Sequence, residues 1–239
     1  LIGAAYICLH LVMDQVSWIN NLDNLLITPW NPQAGLALSL FLLLGSRYFP
    51  AVAAACLLSD LLVRGGEFDF VTSVNFAMGF SVVYALLARL LMRNRLDLGL
   101  KGMQDFLLLA LGGAVASLLV VAIHIGALTL QGRLPVEKFL LAATRYWVGD
   151  IIGILTVAPL ILVLWQQQAE LRGLARDSLA PLAAILGVSW LVFGLDITDD
   201  FKFFYLLFLP LIWMSVRSGR KGAVIGIAAT QAALLGFTT

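Results

Sequence analysis

Residues 145–153 read RYWVGDIIG and lie inside an apolar run that covers residues 138–165. A run of that length reads as a membrane helix, yet it carries Arg145 and Asp150, and its Gly149 and Gly153 weaken an ordinary helix. A charge at mid-membrane costs roughly 2.5–3.5 kcal/mol on insertion scales. Such residues persist where they pair, hydrate or bind something. By i,i+3 and i,i+4 spacing, Tyr146, Trp147, Asp150 and Gly153 share one helix face. Gly149 and Gly153 form a G-x-x-x-G edge that lets a neighbouring backbone come close. That places Asp150 at a helix contact rather than against lipid. Three readings stay open for it: a buried pair or cap holding helices in register, a ligand, ion or proton site, or exposure to a water-filled vestibule. Pro159, nine residues on, predicts a kink in the inner half of the same helix.

The rest of the chain is of the same kind. It is 61% hydrophobic and 12% charged, with a mean hydropathy of +0.97, too few polar groups to cover a soluble domain of 239 residues. The ten-residue alternation of a β-barrel is absent. The fold class is therefore all-α, a polytopic integral membrane helical bundle. Apolar stretches at 1–19, 33–45, 48–63, 71–92, 104–129, 138–165, 179–196, 202–217 and 220–239 predict about nine spans in one integral membrane domain, 1–239. The breaks carry turn chemistry, such as TPWNP, GSRYFP and RSGRKG, and no linker divides them. A net charge of +1 gives no ground for a nucleic-acid partner; the basic run from Arg89 to Lys101 reads as membrane anchoring. Cys8 and Cys56 lack metal-ligand spacing and read as small core hydrophobes.

Lysine and arginine bias orients the spans. With the even-numbered breaks in the cytoplasm, Arg47, Arg89, Arg93, Arg95, Lys101, Arg172, Arg176, Arg217, Arg220 and Lys221 lie inside, ten of the fifteen basic residues. The opposite side collects Asp14, Asp23, Asp60, Glu67, Asp69, Glu137, Asp150, Asp196, Asp199 and Asp200. The amino terminus is then cytoplasmic. Nine helices would leave Thr239 outside, so a cytoplasmic domain beyond it requires a tenth helix. Leu1 and Thr239 read as limits of an excised region.

Sorted by depth, the polar residues within the spans gather in the outer half. They are His10, Asp14 and Gln15, then Trp30 and Asn31, Asp60, Asn75, His124, Arg145 and Asp150. Of these, Trp30, Asn31, Asp60, Asn75, His124, Arg145 and Asp150 are the sensing candidates, and Trp147 joins them from the face of Asp150. The second and third stretches are short and framed by Pro29, Pro32 and Pro50, like the broken helices that build membrane sites; a tilted hairpin that only packs reads equally well. Depth alone allows bis-histidine haem ligation by His10 and His124. The plainer reading is two hydrogen-bonded core histidines, which leaves the cofactor unknown. No metal cluster, nucleophile elbow or phosphate loop is present, so no catalytic constellation is read.

Three blocks carry a resemblance. They are Trp30–Gly66 (WNPQAGLALSLFLLLGSRYFPAVAAACLLSDLLVRG), Arg145–Leu162 (RYWVGDIIGILTVAPLIL) and Phe208–Ile227 (FLPLIWMSVRSGRKGAVIGI). In that order they resemble the signatures of the membrane-associated sensor domain family, type one, over nearly the whole chain. The matching positions are Trp30, Pro32, Gly35, Arg47, Pro50, Trp147, Gly149, Asp150, Gly153 and Pro159. The family's closing helix is missing here.

The resemblance implies a non-catalytic sensory module of a bacterial signalling protein in the inner membrane. A cytoplasmic output domain would follow in the same chain, and the stretches ITPWNP and DLLVRG lean to a two-component sensor histidine kinase over a diguanylate cyclase or phosphodiesterase. It implies a homodimer, and its partners are membrane lipid and, at the polar site, a small-molecule ligand. The reading from another class is a small-solute transporter or substrate-binding membrane subunit, which short broken helices and midplane charges would suit equally.

Overall fold

The computed structural model describes residues 1–18, 30–66, 68–166, 171–194 and 206–237. All of the regular structure among them is helical: α1 (Ile2–Trp18), α2 (Pro32–Leu44), α3 (Phe49–Leu62), α4 (Phe70–Arg93), α5 (Met103–Leu130), α6 (Phe139–Gln166), α7 (Leu171–Ser189) and α8 (Phe208–Phe237). The chain divides into two compact units, Leu1–Ala158 and Pro159–Thr239, so the division falls within α6 at the proline.

The first unit is organised about α2. Pro32 opens that helix with a φ already suited to it, and Gly45, at φ +82, ends it while its N–H bonds the Phe41 carbonyl. Every residue from Pro32 to Leu42 is buried. A helix apolar all round belongs in a core, and α1, α4 and α6 wall this one in. A 3₁₀ turn at Ser46–Tyr48 then hands the chain to α3, with Pro50 in its first turn.

The outer surface inverts the rule of soluble proteins. On α4, Met78, Val82, Leu86 and Leu90 are exposed at four-residue spacing, while Ala77, Phe80, Tyr84, Leu87 and Leu91 point inward. On α5, Leu107, Leu111, Val115, Leu118 and Leu119 are exposed in the same way. A continuous apolar face of this extent exceeds what a soluble monomer shows to water, and lipid is the solvent it suits. Small residues set the spacing inside. A Cβ at Gly112 would lie 2.9 Å from Leu87, and one at Gly113 3.0 Å from Ile154, so α5 presses on α4 and α6 there.

The second unit contains α7, a π-helical turn at Trp190–Gly194, and α8. Gly219 breaks α8 with φ 58 and ψ −143. A Cβ at Gly226 would sit 3.3 Å from Met214, whereas twelve residues of straight helix would separate them by about 18 Å. The two arms of α8 therefore fold back on each other.

These elements correct the expectation of about nine spans. There are eight α-helices among the described residues, and three regions are long and apolar enough to cross a membrane: Phe70–Arg93, Met103–Leu130 and Val136–Gln166. The described parts of the eighth and ninth apolar stretches from Phe208 to Phe237 form the two arms of α8. Helix α2, at 13 residues, reaches only about 20 Å. Hydropathy counts burial of either kind, and α2 is apolar because protein surrounds it. Of the carboxylates assigned to one side of the membrane, Asp23, Glu67, Asp196, Asp199 and Asp200 lie outside the described residues.

Candidate functional site

The first unit holds a small cavity lined by His10, Asp14, Asn31, Gln33, Cys56, Ser59, Arg64, Phe76, Phe80, Tyr146 and Asp150. Six segments contribute: the end of α1, the start of α2, α3 and the turn after it, the first half of α4, and the first half of α6. The space suits a water molecule or an ion rather than a large organic ligand.

One wall is built on Asp150, which has no exposed surface. Its carboxylate accepts from Asn31 Nδ2 at 2.9 Å and from the Tyr84 hydroxyl at 2.7 Å; Tyr84 in turn lies 3.5 Å from Ser117 Oγ. Asn31 reaches it because the lead-in to α2 lies directly on α6. Asn31 N–H donates to the Gly149 carbonyl at 3.1 Å, and a Cβ at Gly153 would fall 1.9 Å from the Asn31 carbonyl oxygen. One turn further on, a Cβ at Gly35 would fall 2.4 Å from the Gly153 carbonyl oxygen. Only glycine leaves room for backbone at both places.

The facing wall is built on Asp14, 1% exposed. It accepts from Gln33 Nε2, from Ser59 Oγ, and from the Arg64 guanidinium at 3.1 Å. Arg64 also lies over the Trp18 ring, 5.3 Å from its centroid. Gln33 is 6% exposed, and its Oε1 has no hydrogen-bond partner. Ser17 Oγ donates to the Trp30 carbonyl and ties the end of α1 to the same lead-in.

The other sequence candidates are placed around these walls. His124 is buried in an aromatic cluster, with ring centroids 4.1 Å from Phe76, 5.5 Å from Tyr146 and 5.8 Å from Phe68. Through Phe76 and Tyr146 it backs the cavity. His10 lines the cavity, with Nδ1 3.2 Å from the Tyr6 hydroxyl. Asp60 is buried and accepts from Ser73 Oγ, and it is not part of the cavity lining. Trp147 donates its indole N–H to the Ala114 carbonyl at 2.9 Å and so pins α6 to α5. Asn75 is exposed on α4, and Arg145 is half-buried. Arg47 lies at the opposite end of α2, with its guanidinium over Tyr48. Among the described residues no cluster of three or more His, Cys, Asp or Glu could hold a metal.

Sequence reasoning by depth left out Gln33, Ser59, Arg64, Tyr84 and Tyr146 from the candidates, and kept Asp14 only as a polar residue. A signal for Arg64 existed. Asp14 is a second acid within the apolar region, and Arg64 is a cation at the outer end of the third stretch, against the charge bias of that side.

Outside the spans, Asp69 caps α4. It accepts from the Thr72 N–H at 3.0 Å and the Thr72 hydroxyl at 2.7 Å, and Gln131 and Arg133 approach from the end of α5. The hydrogen bond from the Thr72 side chain, then that from its backbone, holds the Asp69 carboxyl below its ordinary range.

Comparison with known proteins agrees with this architecture. The family profile designated MASE1 matches residues 1–239, the whole chain. No curated protein matches, nor does any solved structure. A match over the whole chain, to a lipid-suited helical protein, settles its family: the chain belongs to the MASE1 family, membrane sensory domains of bacterial signalling proteins.

Proposed function

We propose that this domain senses a stimulus at the Asp14–Asp150 cavity and relays it to an output domain carried further along the same polypeptide. MASE1 domains are sensory inputs rather than catalysts, and membership leaves the transporter reading without support. The output that suits the wording of the signature blocks is a sensor histidine kinase, with a diguanylate cyclase or phosphodiesterase as the other choice. The protein works as a homodimer in the inner membrane with its amino terminus in the cytoplasm, so the cavity lies in the outer half.

The observation that carries this reading is the wiring of Asp150. One carboxylate with no exposed surface gathers α2 through Asn31 and α4 through Tyr84 onto α6. Whatever changes the charge or the hydrogen bonding of Asp150 alters how three helices are held. Closely packed helices have discrete arrangements, so such a local change becomes a shift between packings. A small ligand entering the cavity, with Trp30, Asn31, Trp147 and His124 supporting its walls, acts through the same connections. Asp60, Asn75 and Arg145 lie outside the cavity lining and are not needed for it.

The test is Asp150→Asn in the full-length protein, with output activity measured in membranes in both signalling states. A loss of the difference between the states is expected. Unchanged activity in both would remove Asp150 from the mechanism.

A further inference from the structure

The cavity is not balanced in charge. Asp14 is matched by Arg64 at 3.1 Å, and Gln33 and Ser59 donate to it as well. Asp150, at 0% exposure, receives hydrogen bonds only from the neutral donors Asn31 and Tyr84. No described cation is paired with it. With His10 neutral and Asp150 ionised, Asp14, Arg64 and Asp150 leave the lining at one net negative charge. A buried charge left without a partner costs several kcal/mol. The start of α2 supplies part of the compensation, equivalent to about half a positive charge at most.

A second observation points the same way. Gln33 lines the same cavity, is more than nine-tenths buried, and holds Oε1 without a donor while its amide N–H is committed to Asp14. A buried carbonyl oxygen in that state calls for a donor or a cation. Phe76, Phe80 and Tyr146 line the cavity as well, beside Cys56, and the quadrupole of an aromatic face attracts positive charge. The space takes an ion-sized guest.

We propose that the cavity binds one small monovalent cation, held by the Asp150 carboxylate and the Gln33 carbonyl oxygen. Single charge follows from the single unmatched carboxylate; a divalent ion would require Asp14 to give up Arg64. Both proposed ligand atoms are oxygens, which suits an alkali ion, and the aromatic rings of the lining suit ammonium equally. This deepens the sensing role proposed for the cavity. It also gives the site an ionic input, since occupancy sets how tightly α2 and α4 are drawn to α6.

Thermal unfolding of the full chain in lipid nanodiscs tests it. Buried Cys56 serves as the reporter through a thiol-reactive dye, with the exposed Cys8 replaced by serine. Titrations use sodium, potassium or ammonium chloride, exchanged against N-methylglucamine chloride at constant ionic strength and pH. The expected result is a saturable rise of several degrees in Tm with at least one of the three cations. The sodium and potassium arms against the ammonium arm separate a metal ion from a protonated amine. In Asp150→Asn the cation-dependent rise should vanish, and in Gln33→Met the half-saturating concentration should increase at least tenfold. Equal Tm in all four salts would overturn the proposal, and so would a cation response that survives in both variants. A Tm that ignores the salts but follows pH would show a proton in place of the ion. If Asp150→Asn does not fold, Gln33→Met carries the comparison. Output activity is read separately, so loss of signalling without cation dependence would sink this inference and leave the sensing role standing.

Discussion

Asp14 and Asp150 face one cavity from opposite walls, yet the protein treats them differently. Asp14 is tied to a guanidinium, an amide and a hydroxyl, and its charge is answered within the fold. Asp150 is held by an amide and a phenol, and its charge is not. The first is a clamp that closes the ends of α1 and α3 on each other. The second is a junction among α2, α4 and α6 that stays sensitive to what else enters. Two buried acids within one polar cluster can thus serve stability and response separately, because the difference lies in their partners.

The largest effect expected is at the clamp. Arg64→Ala strands the Asp14 carboxylate in a buried place, and its loss should cost about 3–5 kcal/mol. Asp150→Asn removes no ion pair and relieves an unpaired buried charge, so without small cations it should destabilise far less than Arg64→Ala. Thermal unfolding of both variants in N-methylglucamine buffer checks the contrast. Equal destabilisation would erase the distinction between the walls.

Next comes the backbone seat of the junction. Gly153→Ala puts a Cβ 1.9 Å from the Asn31 carbonyl oxygen, which forces the lead-in to α2 away from α6. About 3 kcal/mol of destabilisation is expected. Slower-decaying hydrogen exchange protection at Asn31 in the variant than in the parent would contradict this. Tyr84→Phe is milder. It removes one of the two hydrogen bonds to Asp150 and should lower stability by about 1 kcal/mol, while Arg64 and Asp14 keep their geometry.

The smallest effect lies outside the cavity. Asp69 holds its carboxyl below the ordinary range through Thr72, so its capping contribution is present above the unfolded-state value. The contribution is lost as pH falls through the lowered folded-state value. Stability measured down through the carboxylate range should decline slightly more in the parent than in Asp69→Asn. Parallel curves would mean that the cap adds nothing.

How much of this was legible before the structure depends on which coordinate of a residue is asked for. Depth along a helix follows from counting, so Asp150, Asn31, His10 and His124 could be grouped at one level from the chain alone. Rotation about the helix axis could not be read as well. Asn75 and Phe76 are neighbours in sequence, but a turn of 100° puts the polar one outside and the phenylalanine in the cavity wall. Tyr146 and Trp147 divide in the same way, one lining the cavity and the other donating to α5. Arg64 was hidden for another reason. It follows the end of α3, and only the packing of α3 on α1 reveals its partner Asp14, fifty residues away.

The sequence by itself determined the class of the protein and the chemistry available to it. An apolar chain of this hydropathy can satisfy its backbone in lipid only as helices, and the glycines of RYWVGDIIG announce a close approach beside a buried acid. The tertiary structure decided what approaches and what pairs. It laid Asn31 on Gly153, assigned Arg64 to Asp14 rather than Asp150, and folded α8 back at Gly219. Burial and helix formation are local consequences of composition. Pairing is not, because a carboxylate's charge is answered by whichever group the packing of distant segments brings within about 3 Å.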